Sequence, residues 1–543
     1  MEFDLVNDNN RAVLSVCVSV SLAIPNYEEW ALIRQLCRRT YWASDSTVFE
    51  KLLPHQKHHL YRLHCSIRDY SRALDVSLMG HGKSYTSVAL AVELGLPMIV
   101  FAPGSSQYNW ECAFKHFSIK DVAFYPYSSF QRKNPPFFKP LAKPEDPDAP
   151  KVPNYESFKL CDSWAERCAS GVLLVLDEVH FLKNKNLRHH LSVQMVREMF
   201  SCPGLPSKLL CLSGTPFDKP EHAPHLARVL GLYTVDPLAQ MNPYTQELEL
   251  RGLRQVLDFC QRLNPHFNPT IPTFNYGDDF STTLLNKCLL EQIKPKLFFA
   301  MPPPWKREGA AAVPPVFTAD LTYDGEIDDP SRHMINAAMN TIQIAHSMFA
   351  RRHNIPQAMQ MLTSGLKQLE TGKIPCFLAT AERLLEQQPN TKVIVMCSYL
   401  DPINALAARL AGYRPLVVQG SVPFGKRADI IREFQEPNCN RRLLIANMNL
   451  LANGVDLDDQ HGDFPRQMII SPSYNLTTLR QVAQRVDRTH TKSGASVYYL
   501  YYKGWSESKL MASLKDKTGM LSQSTSNEEY NIEHHQLTFS QLF

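Results

Sequence analysis

Paired cysteines are missing from this chain: its thirteen are scattered singly, with no Cys-x-x-Cys string and no Cys/His spacing suited to zinc. That excludes a disulfide framework and a structural metal module, and an odd, unclustered set of thiols predicts a reducing, intracellular compartment. Dominance of one charge is missing too, since 57 Lys and Arg face 53 Asp and Glu, leaving a net charge of +4. So mild a balance confines any polyanion contact to a local groove. Long apolar runs are also absent. Residues 12–24 (AVLSVCVSVSLAI) come nearest, but Glu2, Asp4 and Asp8 precede them and serines alternate with the apolar residues. Alternation predicts a half-buried strand, neither a signal peptide nor a membrane span. No solenoid repeat is visible. At 543 residues and 44% hydrophobic content the chain is too long for one core, and about two to four domains are expected.

What is present begins with two short strings, Gly80-His81-Gly82-Lys83-Ser84 and Asp177-Glu178-Val179-His180, the second ending the apolar run 172–176. A glycine-rich turn closing on Lys-Ser leaves backbone N–H groups free to wrap a polyphosphate, with the lysine as point charge and the serine as a magnesium ligand. An acidic pair at the end of a buried strand can hold that magnesium and align a water. A nucleoside triphosphate and Mg2+ are therefore the expected ligands, and the resemblance given below implies ATP. Position 77, where a full phosphate-loop signature has glycine, is Ser77.

Along the chain, 26–41 reads as a helix of unassigned role. From about residue 50 the pattern alternates strand and helix, as in a parallel α/β sheet. Helix 84–94 is followed by strands 98–101, 172–176 and 208–212, the last running into Ser213-Gly214-Thr215-Pro216. Eight prolines between 126 and 153 argue against regular structure there. The alternation lapses between about 236 and 350, with a helical stretch at 247–263, proline clusters and a strand near 316–321. This region is expected to lack long helical protrusions. Alternation then resumes: strands 392–397, 415–418, 442–446, 467–470 and 496–501, with helices 402–410, 425–434 and 476–488. The expected division is an extension 1–49, a first lobe 50–235, a partly helical, Pro-rich bridge 236–354, a second lobe 355–515 and a polar, mobile tail 516–543.

The string Asp177 to Asn186, an acidic box followed by Lys183-Asn184-Lys185-Asn186, resembles the Swi/Snf-type DNA translocases of helicase superfamily 2. The resemblance runs over about residues 50–515. Gln56, in Leu53-Pro54-His55-Gln56, is similar to the family's adenine-reading glutamine. Ala102-Pro103 with Trp110, Asn154 to Phe158, Ser213 to Pro216, and Pro314-Pro315 leading to Thr322 resemble further blocks. In the second half, Ser398-Tyr399, Gly420 with Arg427 and Phe434, Asn453-Gly454-Val455-Asp456-Leu457, and Gln481-x-x-x-Arg485-x-x-Arg488 do the same. The fold implied is α/β, with two RecA-like parallel-sheet lobes in tandem.

The resemblance also implies roles. Gly80, His81, Gly82, Lys83 and Ser84 cradle the phosphates, and Ser84 and Asp177 hold magnesium. Glu178 is the general base, and Arg485 and Arg488, three apart on one helix face, are arginine fingers. Gly454, Asp456 and Gln481 also face the nucleotide, while His180, Ser213, Gly214 and Thr215 couple the site to a nucleic-acid groove. Double-stranded DNA is the expected partner, favoured over RNA. Compact motors of this kind occur in large DNA viruses and phages as well as in cells.

Blander readings stand beside these. Read alone, Arg485 and Arg488 form a solvated helix face with Asp487, Gln56 is an exposed glutamine, and His58, His59 and His64 lie on a solvated helix rather than at a metal. Tyr498, Tyr499, Tyr501 and Tyr502 read as sheet cover. Rival functions are an RNA helicase or transcription-termination motor, a nucleotide-binding adaptor that does not hydrolyse, and a phosphate-loop kinase.

Overall fold

The computed structural model describes residues 47–141, 157–201, 204, 206–242, 244–245, 247–269, 280–301, 316–438, 440–452, 455–488, 491–502, 507, 510, 512–514 and 535–543. The expected strand at 12–24, the helix at 26–41, Pro314-Pro315, Asn453 and Gly454 lie outside the described residues. Leu52–Phe543 form one unit, and Met1–Lys51 another.

Two parallel sheets organise the larger unit. In the first, β1 (Arg72–Asp75), β2 (Met98–Ala102), β3 (Val122–Pro126), β4 (Leu173–Asp177), β5 (Lys208–Leu212) and β6 (Phe298–Phe299) lie in the order β6-β1-β5-β4-β2-β3. Strands β1, β2 and β4 are buried along their whole length. Continuous apolar runs are the mark of strands covered on both faces. Helices α1 (Pro54–Tyr70), α2 (Lys83–Leu94) and α3 (Gln107–Phe117) belong to this lobe. Because β1, β5 and β4 are neighbours and parallel, their C-terminal ends deliver Gly80–Lys83, Ser213–Thr215 and Asp177–His180 to one sheet edge. Ligands of open α/β sheets bind at such an edge.

The second sheet contains β7 (Phe317–Thr322), β8 (Lys392–Cys397), β9 (Leu416–Val418), β10 (Leu443–Asn447), β11 (Arg466–Ile470), β12 (Ala495–Tyr501) and β13 (His535–Thr538), in the order β9-β10-β8-β11-β12-β7-β13. One apolar cluster covers each face. The cluster built on Ile394, Met396 and Met468 also takes in Leu78, which belongs to the first lobe's phosphate loop. The lobes are therefore packed together at that loop.

The structure redraws several expected elements. The bridge is not a separate layer: helix α4 (Gly252–Leu263) and residues 284–298 enter the first core, β6 extends the first sheet, and β7 lies inside the second. Long helices are present after all. Helices α5 (Asp329–Ala350) and α6 (Ile355–Gly372) form a hairpin between β7 and β8. Gly365 and Gly372 allow the close approach, since a Cβ there would lie 2.7 and 2.8 Å from Ile342 and Ile335. The proline-rich stretch holds a 3-10 turn at Tyr127–Gln131, whose Tyr127 and Phe130 are buried, and a strand at Phe138–Pro140 paired with Phe158–Leu160. The end of the expected polar tail docks as β13, with Phe539 packed against Tyr323. Its apolar residues, Leu537, Phe539 and Phe543, outweigh the polar ones between them.

Candidate active site at the junction of the two lobes

The phosphate loop is shaped by its glycines. Gly80 and Gly82 have φ of +83° and +90°, a region where a side chain is strained. Gly82 is the N-cap of α2 and no side chain caps the helix, so its first N–H groups remain for an anion. A Cβ at Gly82 would fall 2.1 Å from Gln56 Nε2. Ser77 is not among the positive-φ residues, which is why serine stands there without strain. The Lys83 ammonium donates to the carbonyls of Ser77 and Leu78 at 2.9 and 3.1 Å. Ser84 follows it at the start of α2.

Helix α1 lies against this loop. Gln56 is buried; its Oε1 accepts from the Leu53 N–H at 3.0 Å and its Nε2 donates to the His81 carbonyl at 3.2 Å. The exposed-glutamine reading is thus corrected, and so is the solvated histidine helix. His59 is fully buried, with Nε2 2.9 Å from Asp75 Oδ2, because α1 packs its polar residues onto the end of β1. Burial works against the Asp75 charge, but His59 outweighs it and holds the carboxyl below its usual range. His81 is kept neutral, pushed down to about 3 by burial and by Lys83. It offers the loop its backbone rather than a charge.

The acidic pair is buried on β4. Burial and the adjacent Glu178 push the Asp177 carboxyl up to about 7. Trp110 Nε1 donates to its Oδ2 at 2.9 Å and opposes that rise. A carboxylate so placed is a group whose charge a bound cation would stabilise. Glu178 sits at φ +54° and is also buried. Desolvation would raise its pKa, yet the hydrogen bond from His180 and the charges of Lys83 and Arg485 bring it below its ordinary value. His180 Nδ1 lies 3.1 Å from Glu178 Oε2 and 3.3 Å from Ser213 Oγ. Ser213 Oγ in turn accepts from the Thr215 N–H at 3.1 Å. Thr215 Oγ1 is buried with no hydrogen-bond partner among the described residues. Lys183 of the Lys-Asn stretch pairs with Asp218 at 2.9 Å, fastening the acidic box to the segment after Thr215.

The second lobe completes the site. Gln481 Nε2 reaches His180 Nε2 at 3.5 Å. Arg485 is buried; its guanidinium donates to the Val455 carbonyl at 2.9 Å and to the Ala452 carbonyl, and lies 3.9 Å from Met79 Sδ. Burial, then the neighbouring Arg488, pushes it down to about 9. Arg488 Nε pairs with Asp456 Oδ1 at 2.7 Å, and its Cδ would meet a Cβ on Gly80 at 2.9 Å. The two arginines do not share a helix face. Helix α7 (Leu476–Ala483) ends before them, a 3-10 turn holds Gln484–Val486, and Asp487 is extended, so each arginine arrives by its own route. Gly454 lies outside the described residues.

Sequence reasoning did not assign roles to Trp110 on Asp177, Asp75 and His59 beneath the loop, or Asp456 as the partner of Arg488. For Trp110 the signal was its place in a recognised block. For Asp75 it was an acidic residue ending an apolar strand just before the glycine turn.

Residues 377–491 match the helicase conserved C-terminal domain. A protein of Acanthamoeba polyphaga mimivirus with the provisional name ATP-dependent RNA helicase is 21% identical over 460 residues, covering 82% of this chain and 77% of the relative. Residues 377–491 therefore form a helicase-type C-terminal domain. The chain is also similar to the Sulfolobus solfataricus SWI2/SNF2 ATPase core solved with double-stranded DNA. That likeness has a TM-score of 0.29 and 16% identity, covering 87% of this chain and 96% of that one. A second likeness is to the C-terminal part of the Fun30 ATPase domain, with a TM-score of 0.28, 12% identity, and coverage of 36% and 89%. No helix among the described residues is long and apolar enough to cross a membrane.

Proposed function

We propose that this protein is a Swi/Snf-type translocase of helicase superfamily 2 that couples ATP hydrolysis to movement along double-stranded DNA. The observation that carries the reading is the composite site: Gln481 and Arg488 of the second lobe meet His180 and Gly80 of the first. Lys83 neutralises phosphate charge at the N-terminus of α2, and Gln56 closes the adenine end of the loop. Glu178, held ionised by His180, takes the proton of the attacking water. Arg485 and Arg488 stabilise charge that develops on the γ-phosphate, a contribution of about 10³–10⁵ in rate for such groups. Asp456 and Gln481 border the same space. Ser84 and Asp177 would hold magnesium, which would supply charge neutralisation to the phosphates. Because the site is divided between lobes, nucleotide joins them and hydrolysis parts them. His180, Ser213, Gly214 and Thr215 pass that change on to the nucleic acid.

Support for DNA comes from the Lys183-Asn184 extension and the form of the Gln481–Arg488 string. The name of the mimivirus relative supports the RNA alternative. The free thiols among the described cysteines suit a reducing, intracellular setting.

ATP turnover measured without polymer, with single- and double-stranded DNA, and with RNA tests the reading. Duplex DNA is expected to stimulate most. Lys83→Ala and Glu178→Gln should both abolish turnover, Glu178→Gln retaining ATP affinity. Stimulation by RNA alone would overturn the DNA assignment, and full activity in Glu178→Gln would overturn the mechanism.

A further inference from the structure

The α5–α6 hairpin carries a charge pattern that the ATP site does not use. From Pro330 to Leu369 it contains no Asp or Glu, although 53 of the chain's 543 residues are acidic. At its base Lys367 is paired with Asp401 at 2.7 Å. At its tip Arg351 and Arg352 are exposed, and no carboxylate of the described residues pairs with either. The apolar cluster of the second lobe takes in Ile335, Ala338, Ile342 and Leu369 but nothing between 343 and 361. The tip therefore extends past the packed core. Just behind it, His346 Nε2 lies 3.0 Å from the Tyr474 hydroxyl. Tyr474 precedes Asn475, whose side chain caps α7, the helix that bears Gln481. The arm is mounted on the helix that closes the ATP site.

We propose that this hairpin is a phosphate-backbone contact for a nucleic-acid duplex, with Arg351 and Arg352 as the groups that pair with phosphates. The inference rests on the translocase reading and adds a contact beyond the two sheets. With no carboxylate nearby to repel it, a phosphate can pair with each guanidinium, and each phosphate so neutralised releases counterions to solution. Such contacts read no bases, which suits a protein that must pass over any sequence. The exposed Ile344 and Met359 on the same arm would instead serve an apolar protein partner, and variants separate the two occupants.

The experiment compares the full-length wild type with Arg351→Glu/Arg352→Glu, Arg351→Lys/Arg352→Lys and Ile344→Gln/Met359→Gln. Each is assayed for binding to a fluorescent DNA duplex across a salt series and for ATP turnover with and without it. The charge reversal is expected to weaken duplex affinity about tenfold at low salt and to flatten the log–log salt slope by about two. Polymer-free turnover should stay unchanged, the lysine pair should retain most of the affinity, and the glutamine pair should bind as wild type. A stimulated wild type with a charge reversal that binds equally well overturns the hairpin contact alone. Loss of affinity in the glutamine pair but not in the charge reversal gives the surface to an apolar partner and overturns it as well. A wild type that neither binds nor responds to any polymer removes the translocase reading and this inference with it.

Discussion

At the scale of single residues, the site depends on small atoms in tight places. Gly82 leaves room for Gln56 and adopts a left-handed backbone, so Gly82→Ala combines strain with a collision. It is expected to abolish ATP binding, measured with a fluorescent analogue. Gly95 is the useful contrast: its φ is +64° but nothing lies within 4 Å of a Cβ there. Gly95→Ala should only lower stability, by about 1 kcal/mol. Trp110 acts on chemistry from a distance. Its hydrogen bond lowers the pKa of Asp177, so Trp110→Phe raises that pKa further above about 7. At neutral pH the variant should need more Mg2+ for half-maximal turnover. The defect should shrink as pH rises, because at alkaline pH the carboxylate is ionised with or without the indole. A defect independent of pH would show that Trp110 serves packing alone.

At the scale of elements, loops that leave neighbouring strands are fastened to each other as well as to the sheet. The segment after β4 and the segment after β5 are joined by Lys183, Asp218 and His222. Burial opposes the Asp218 charge, but the His222 hydrogen bond and Lys183 hold the carboxyl far below its usual range. A group whose folded pKa is depressed stabilises above its unfolded pKa and loses that effect as pH falls toward the folded value. Asp218→Asn should therefore lower the Tm at pH 7, a loss of roughly 1–2 kcal/mol for a charge-assisted hydrogen bond. The gap should narrow below about pH 4, the ordinary carboxylate range, and close at strongly acid pH. Equal Tm values at pH 7 would show that the pair holds no strain between the loops.

At the scale of the whole molecule, the proposed function requires two lobes to contribute to one site. Asp456 decides where Arg488 points, because its carboxylate grips Nε while Gln484 accepts from Nη1 at 2.7 Å. Asp456→Ala frees the guanidinium from one of those restraints. It is expected to lower kcat about tenfold or more, within the range that arginine fingers contribute, with ATP affinity close to wild type. Steady-state kinetics with duplex DNA separate the two quantities. A rise in KM at unchanged kcat would place Asp456 in nucleotide binding instead.

The sequence by itself determined the two α/β lobes, because β-strands buried on both faces must be continuous apolar runs. The runs at 172–176, 208–212 and 392–397 are visible without coordinates. It also determined the phosphate loop and acidic box, whose chemistry restricts residue types and spacing within a few positions. Tertiary structure decided what depends on distant partners. That His59 is buried against Asp75, that Gln56 closes on Gly82, and that Arg485 and Arg488 leave the helix before reaching the loop follow from packing between segments. The hairpin remained hidden because its helices bury narrow stripes of small residues, such as Gly365 and Gly372, that resemble turn signals until a second helix lies against them. Local pattern fixes local elements; the junction of the lobes is set by contacts hundreds of residues apart, such as Gln481 on His180.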